Sequence, residues 1–453
     1  MIVWGFKMCA VVGVINSKEA SKTAYYGLFS MQHRGQEASG ISVSNNHHIT
    51  TLKKQGLVTD VFSKEDIINL KGDMAIGHNR YSTAGNDSVR DAQPVTANYA
   101  LGEIAIVHNG NLVNKNEVRE RLIDEGAIFQ SNMDTENILH LIARSKKEHL
   151  QERIVEAVSQ IVGAYCLLIM SRSKIFALRD RYGVRPLSIG VLPDGGYIIA
   201  SETCAFDLVG ASFLRDVAPG EMIIFEEGCK EFKSVQLFKE QDPRICAFEY
   251  IYFARPDSIV EGKNVYTTRV ELGKTLAKKS KIEADFVVPV PDSGVPAALG
   301  YARQSGIPFE MAIVRNHYVG RTFIEPTQEM RDLKVKLKLN PMSSVLDGKK
   351  IVVIDDSIVR GTTSKKIVAL LRQAGAKEIH MRIAAPEIKY PDLYGIDTPT
   401  VAELISANKS CEEVREYIGA DSLEFLSVDE LTHSLGDERK YSLVSFDGNY
   451  FID

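Results

Sequence analysis

Twice in its second half the chain runs from a short apolar strand into a loop of small and acidic residues, then into a helix and another strand. FVVPV (286–290) leads to PDSG, to a small-residue helical stretch at 295–304 stopped by Gly306, and to a strand PFEMAIV (308–314). KKIVVI (349–354) leads to DDSIVRGTT, to a helix SKKIVALLRQ ended by Gly375, and to a strand EIHMRIAA (378–385). Consecutive strands joined through a helix run parallel, so this rhythm predicts a doubly wound parallel sheet. Ligands of such sheets sit outside the carboxyl ends of the strands, where both loops lie.

The rhythm is different before residues 235–245. Short strands stand at AVVGVI (10–15), IAIV (104–107), CLLIM (166–170), KIFALRD (174–180) and YIIA (197–200). Helical spacing of apolar residues occurs at 20–32, 117–125, 135–146 and 153–161. Strands grouped in hairpins with interspersed helices predict layered sheets covered by helices. At 453 residues the chain exceeds one ordinary domain. The expected division is 9–240 and 241–453, the second unit closing in a helical tail.

Composition excludes several classes. The net charge of −5 and pI near 6.1 argue against binding nucleic acid through phosphate neutralisation. Six scattered cysteines form no disulfide framework and fit a reducing, cytoplasmic compartment. The longest apolar run, 161–170, falls far short of a membrane span and reads as a buried strand. The opening MIVWGFK is too short, and its charge wrongly placed, for a secretory signal.

The segment IVVIDDSIVRGTTS (351–364) carries the most specific chemistry. Its apolar strand ends in Asp355 and Asp356, adjacent acceptors suited to ribose hydroxyls or magnesium. Backbone amides near the following helix N-terminus can cradle a phosphate, with Gly361 for close approach and Thr362, Thr363 and Ser364 as donors. A bare Asp-Asp-Ser would equally be an acidic capping loop. The full string closely resembles the phosphoribosyl pyrophosphate (PRPP) signature of type I phosphoribosyltransferases. The resemblance implies PRPP contacts from Asp355, Asp356, Ser357, Arg360, Gly361, Thr362 and Thr363, and Mg²⁺ held at Asp355 and Asp356. It also matches Pro291-Asp292-Ser293-Gly294, otherwise an ordinary turn, to the pyrophosphate loop, with Ser293 near the metal. The basic segment 315–341 is then a lid whose Arg321 and Lys336 neutralise pyrophosphate; by composition alone it is a solvated basic loop. The chemistry is displacement at the anomeric carbon with pyrophosphate leaving, and it needs no side-chain nucleophile.

A second constellation begins at Cys9 and continues through HRGQEASG (33–40), GHNRYSTAG (77–85), HNGNLVN (108–114) and SNMDTENILHLI (131–142). Singly, these are a small buried thiol, a surface arginine, a hairpin turn and a helix cap. In this order they resemble the glutaminase domain of class II glutamine amidotransferases, which are N-terminal-nucleophile hydrolases. The resemblance implies a four-layer αββα domain. Cys9 would form a glutamyl thioester with its own α-amine as base, a group titrating near about 7.7–8.0. Asn109 and the Gly110 amide would form the oxyanion hole, while Arg80 would hold the glutamine carboxylate and Asp134 its ammonium. Since Cys9 is the ninth residue, residues 1–8 would be a leader that is removed, or translation would start at Met8.

Joined, with CAFEYIYFARPDS (246–258) between them, the halves resemble the amidophosphoribosyltransferase family. That family implies transfer of glutamine ammonia to PRPP as the entry to purine synthesis, a homotetramer, an internal ammonia path, and inhibition by purine nucleotides. It implies no nucleic-acid or membrane partner. Two departures stand out. The usual Cys-Gly start is Cys9-Ala10. Some members also bind a [4Fe–4S] cluster through four cysteines; here Cys246 survives, but Asp392, Ser442 and Ser445 stand at the other places. No iron–sulfur cluster is expected from one thiolate. A PRPP-sensing regulator would leave Cys9, Arg80, Asn109 and Asp134 idle, and a sugar-phosphate amidotransferase would leave the phosphoribosyl signature unexplained.

Overall fold

The computed structural model describes residues 8–81, 89–279, 281–316, 339–396, 398, 400–437 and 439–452. Every residue of the strand Ala10–Ile15 is buried, which requires cover on both faces. Alternation supplies it. Val11 and Ile15 point into a core shared with Ile76, Val107, Leu168 and Ile223, whereas Ala10, Val12 and Val14 pack under Ala24 and Leu28 of the helix Ala20–Ser30.

Among the described residues this strand lies inside a seven-stranded antiparallel sheet. Its order is Ser212–Asp216, Ser188–Val191, Tyr197–Ala200, Ala10–Ile15, Met74–Arg80, Ala38–Ser44, Ile49–Gln55. A second sheet of six strands faces it, in the order Lys233–Gln236, Glu221–Glu226, Lys174–Arg179, Gly163–Met170, Gly102–Leu112, Val95–Tyr99. The helices Lys115–Asp124, Asp134–Arg144 and Leu150–Val158 cover the outer face of the second sheet through Val118, Leu122, Ile138, Ile142 and Ile154. The layers are therefore helix, sheet, sheet, helix. The helices expected at 20–32, 117–125, 135–146 and 153–161 are all present, displaced at their ends by up to about one turn. The run 161–170 becomes the fully buried strand Gly163–Met170.

The second lobe holds a parallel sheet in the order Phe286–Pro289, Lys350–Asp355, Glu378–Ile383, Ser422–Phe425. One expectation needs correction. The segment 308–314 is not a strand of this sheet: Phe309 makes a single parallel bridge to Val287, and Ile313–Arg315 pairs instead with Leu339–Pro341. Pro308 brings no N–H, and the chain folds back locally through the Ala312 N–H to Glu310 O (3.0 Å), so the ladder stops after one rung. The helices Val265–Lys279 and Val295–Ser305 cross so closely that a Cβ on Gly273 would meet Ala297 O at 1.8 Å, and one on Gly300 would meet Val270 O at 1.9 Å.

The two lobes share one hydrophobic core. Met8, Ala164 and Val184 of the first pack with Phe248, Tyr250, Ala385, Tyr394, Tyr441 and Phe446. Among the described residues no helix is long and apolar enough to cross a membrane.

Candidate functional site

The residues predicted for the two sites lie one set in each lobe. In the first lobe, Cys9 precedes a strand whose Ala10 is paired with Asn79, so Arg80 at the end of the neighbouring strand lies across from it. The half-buried Cys9 thiol points to Tyr81 O (3.7 Å), and the Cys9 carbonyl accepts from Arg34 Nε (3.0 Å). Burial pushes the Cys9 thiol up to about 12, with Arg80 and Arg34 favouring the thiolate and Asp134 and Glu37 opposing it. Such a thiol is not a nucleophile at neutral pH without a base at its side.

Asn109 and Gly110 lie within the strand Gly102–Leu112, paired with Cys166 and Tyr165, and do not form a hairpin turn. Gly110 has φ +150°, and a Cβ there would meet Ala164 O at 2.0 Å, so only glycine fits. Both amide atoms of Asn109 are buried without a hydrogen-bond partner among the described residues. A buried amide costs about 1–3 kcal/mol when left unpaired, so this one is built to meet something. Asp134 is the first residue of its helix, and its side chain does not cap. It accepts from Leu112 N–H (3.0 Å) and faces His108 Nδ1 (3.3 Å). Burial alone would raise the Asp134 carboxyl, but His108, the Leu112 amide and Lys115 outweigh it and hold it below the ordinary value. Asp91 accepts from Asn132 N–H (3.2 Å) and stands 3.8 Å from Arg80, tying the cation to the loop that carries Asp134.

In the second lobe, Asp355 and Asp356 close a parallel strand and are both buried. Burial raises both carboxyls, and for Asp355 the neighbouring Asp356 adds to it. Ser293 Oγ and Ser357 Oγ donate to Asp356, which brings the Pro291–Asp292 turn, linked by a cis peptide, against the acidic pair. Two adjacent buried carboxyls that repel each other when ionised, beside the Ser293 hydroxyl, fit a magnesium ion that would take its remaining ligands from phosphate and water. Gly361 has φ +70° at the N-cap of the helix Thr362–Gln373, and a Cβ there would meet Ile405 Cδ1 at 2.7 Å. Its glycine is thus required by backbone geometry and packing. Thr362 is exposed and Thr363 half-buried at that helix start. Arg360 is exposed and turned to Glu403 (3.0 Å). Arg321 and Lys336 lie outside the described residues.

Between the centres runs a set of buried charges that the sequence did not single out. Arg34 forks onto Glu249 with both bonds at 2.9 Å and meets Glu202 at 2.6 Å, with the side chains fully buried. Glu202 also accepts from His33 (2.8 Å), Arg255 N–H (2.8 Å) and Ser258 Oγ (2.8 Å). Burial opposes its charge, but His33 and Arg34 hold it well below the carboxylate range. Arg185 stands 3.6 Å from Glu249 and 3.7 Å from Asp392. Glu249 opens a wide π turn, Glu249–Phe253, closed by Ala254 N–H to Glu249 O (3.0 Å). The carbonyls of Tyr250 and Ala254 hold Arg269 (2.7 and 2.8 Å), and burial brings its guanidinium down to about 10 against the opposing pull of Asp356. The only hint in the sequence was ionic residues inside apolar strings: Glu249 in CAFEYIYF, Arg179 and Arg185 in ALRDRYGVRP.

The four places of the iron–sulfur pattern gather at the same junction. Cys246 pairs in parallel with Ser442, and Ser442, Ser445 and Asp392 are buried. One thiol, two hydroxyls and a carboxylate already facing Arg185 do not fit a thiolate-held cluster.

Comparison with known proteins follows these two centres. A glutamine amidotransferase domain model matches residues 78–207 and a phosphoribosyl transferase domain model matches 263–391. The fold and site thus define a glutaminase domain joined to a phosphoribosyltransferase domain. Over 98% of its length the chain is 50% identical to amidophosphoribosyltransferase 1, chloroplastic, of Arabidopsis thaliana, covering 78% of that protein. It is 47% identical to the amidophosphoribosyltransferase of Bacillus subtilis, covering 98% of this chain and 94% of the relative. The solved structure of the B. subtilis glutamine PRPP amidotransferase complexed with ADP and GMP superposes with a TM-score of 0.93 at 46% identity, covering 98% of both chains. The chain belongs to the amidophosphoribosyltransferase family.

Proposed function

We propose that this chain hydrolyses glutamine at Cys9 and transfers the ammonia to PRPP at Asp355–Asp356, yielding phosphoribosylamine, glutamate and pyrophosphate, the first step of purine synthesis. The observation that supports it is the Asn109 amide, buried without a hydrogen-bond partner among the described residues, in a lobe where Arg80 and Asp134 act electrostatically on the Cys9 thiol. In this reading Cys9 attacks the glutamine side-chain amide, and its freed α-amine takes the thiol proton and returns it to the leaving ammonia. Asn109 and the Gly110 N–H receive the developing oxyanion. Arg80 forks onto the α-carboxylate, and Asp134, held ionised, pairs with the α-ammonium. The α-amine exists only once residues 1–8 are gone, so the active form begins at Cys9.

In the second centre Asp355, Asp356 and Ser293 would hold Mg²⁺, which when bound would neutralise charge on the departing pyrophosphate. Asp355 and Asp356 would also bind the ribose and Ser357, Arg360, Gly361, Thr362 and Thr363 its 5-phosphate, with Arg321 and Lys336, outside the described residues, assigned to the pyrophosphate. Arg360 must leave Glu403 to do so. The glutaminase unit is 9–240 and the transferase unit 241–453. The protein works as a cytoplasmic homotetramer without an iron–sulfur cluster, and purine nucleotides inhibit it; the ADP and GMP of the B. subtilis complex support that last reading.

The test is a product assay for phosphoribosylamine and pyrophosphate with glutamine or ammonium as donor, with and without Mg²⁺. Product from both donors, dependent on PRPP and Mg²⁺, is expected. Glutamate release with no pyrophosphate from either donor would sink the proposal.

A further inference from the structure

The turn 391–396 of the second lobe is pressed onto the strand that carries Asn109 and Gly110. Asn111 Nδ2 donates to Leu393 O (2.8 Å), and Arg185 donates to Tyr394 O through Nε (3.0 Å) and Nη2 (2.8 Å). Gly395, at φ +106°, lies against Gly110: a Cβ built on it would stand 2.9 Å from Gly110 Cα and 3.0 Å from its carbonyl carbon. A Cβ on Gly110 itself would meet Ala164 O at 2.0 Å. Its backbone is therefore clamped between its strand neighbour and a turn from the other lobe.

Asp392 shapes that turn from inside. Its Oδ1 accepts from Tyr394 N–H (2.7 Å) and Ile396 N–H (3.1 Å), and its own N–H donates to Thr398 Oγ1 (2.7 Å). Tyr394 is fully buried, and its hydroxyl accepts from Phe451 N–H (2.9 Å) and Ile452 N–H (3.0 Å), tying the turn to the C-terminal tail.

We infer that the turn 391–396 is a positioning element of the glutaminase reaction, with Asp392 fixing its shape and Gly395 permitting the close approach that sets the Asn109–Gly110 peptide. The inference rests on the reading of Asn109 and Gly110 as oxyanion donors. Oxyanion donors act only at a defined distance from the reacting carbonyl, and holding them to about half an ångström needs support from behind. Here the support comes from the lobe that consumes the ammonia.

The experiment compares Gly395→Ala, Asp392→Ala and Asp392→Asn with the parent in full-length processed protein, measuring glutaminase kcat, glutamine KM and ammonia-dependent synthesis. A methyl at residue 395 has to displace Gly110, so Gly395→Ala is expected to lower glutaminase kcat by about tenfold to a hundredfold. Glutamine KM and ammonia-dependent synthesis should stay within about twofold of the parent, because Arg80, Asp134 and the acidic pair are untouched. Asp392→Ala should follow the same pattern, and Asp392→Asn, which keeps the acceptor for both N–H groups, should recover most of the rate. Parental kcat in Gly395→Ala overturns the inference, as does a rise in KM at constant kcat or an equal loss of both activities. Should Gly395→Ala fail to fold, the Asp392 pair decides: equal rates in the Ala and Asn variants overturn it. A parent that releases no glutamate from glutamine refutes the functional reading itself and is distinguished by that control.

Discussion

Replacing Glu249 by Gln tests whether the buried charges at the junction hold the lobes in working order. Glu249 accepts both bonds of the Arg34 fork at 2.9 Å and faces Arg185 at 3.6 Å, in a setting where all three side chains are fully buried. Gln keeps one acceptor and sets an NH₂ against a guanidinium N–H, so one charge-assisted bond is lost. That bond contributes about 1.5–3 kcal/mol. The full penalty for a stranded buried charge, about 3–5 kcal/mol, is not incurred, since Arg34 keeps Glu202 at 2.6 Å and Arg185 keeps Asp392 at 3.7 Å. Glu249→Gln should therefore lower stability by about 1.5–3 kcal/mol, and Glu249→Ala, which removes both bonds of the fork, by about 3–6 kcal/mol. Equilibrium urea denaturation followed by circular dichroism measures this. A Gln variant within about 0.5 kcal/mol of the parent refutes the reasoning.

Cys9→Ser should abolish glutamine-dependent synthesis and leave the ammonia reaction largely intact, read in the two-donor product assay. With residue 8 still attached, a thiol near 12 is ionised at pH 8 to about one part in ten thousand, so iodoacetamide should leave Cys9 unlabelled in unprocessed chain and label it in processed chain, read by peptide mass spectrometry. Asp355→Asn should abolish synthesis from both donors while raising the thermal midpoint at neutral pH. The sign follows from the raised carboxyl: the fold gains most below the unfolded value of about 3.9 and loses stability as pH rises through the higher folded value, a loss that Asn removes. The gain over the parent should shrink toward pH 4, and a lower midpoint at pH 7.5 would contradict it.

What the sequence disclosed was whatever is written locally. An apolar run such as 161–170 states its own burial, and the string ending in Asp355-Asp356 states both a strand and the acceptors at its end. Cys9, Arg80, Asn109 and Asp134 could be proposed together because each sits in its own recognisable string, although the pairing of Ala10 with Asn79 that sets Cys9 across from Arg80 is not written in either string. Strand 308–314 was misread because apolar content does not say which edge a segment will pair with, and Ile313–Arg315 found Leu339–Pro341. The sheet's last strand, Ser422–Phe425, mixes Glu424 among apolar residues and pairs with Glu378–Ile383 through contacts far along the chain. Arg34, Glu202, Glu249 and Arg185 were invisible for a related reason. A buried charge is indistinguishable from a surface one until its partner, as much as 215 residues away for Arg34 and Glu249, is placed beside it.

The junction also explains why charge is used where apolar residues would hold the lobes together as firmly. Hydrophobic contact is non-directional, and a core such as that around Phe248, Tyr394 and Tyr441 tolerates small rotations of one lobe against the other. A guanidinium fork on a carboxylate is planar and accepts one orientation. The segment Glu249–Phe253 is read by such a fork on one side, at Arg34, whose Nε holds the Cys9 carbonyl. On the other side its carbonyls fix Arg269 beside Asp356. The turn 391–396 is fixed in the same manner, through Arg185, onto the strand of Gly110. The segment Glu249–Phe253 thus touches both centres, the thiol's through Arg34 and the acidic pair's through Arg269. A rotation that spoiled the acidic pair's surroundings would also spoil the thiol's, which is the mechanical requirement for making ammonia only where it can be consumed.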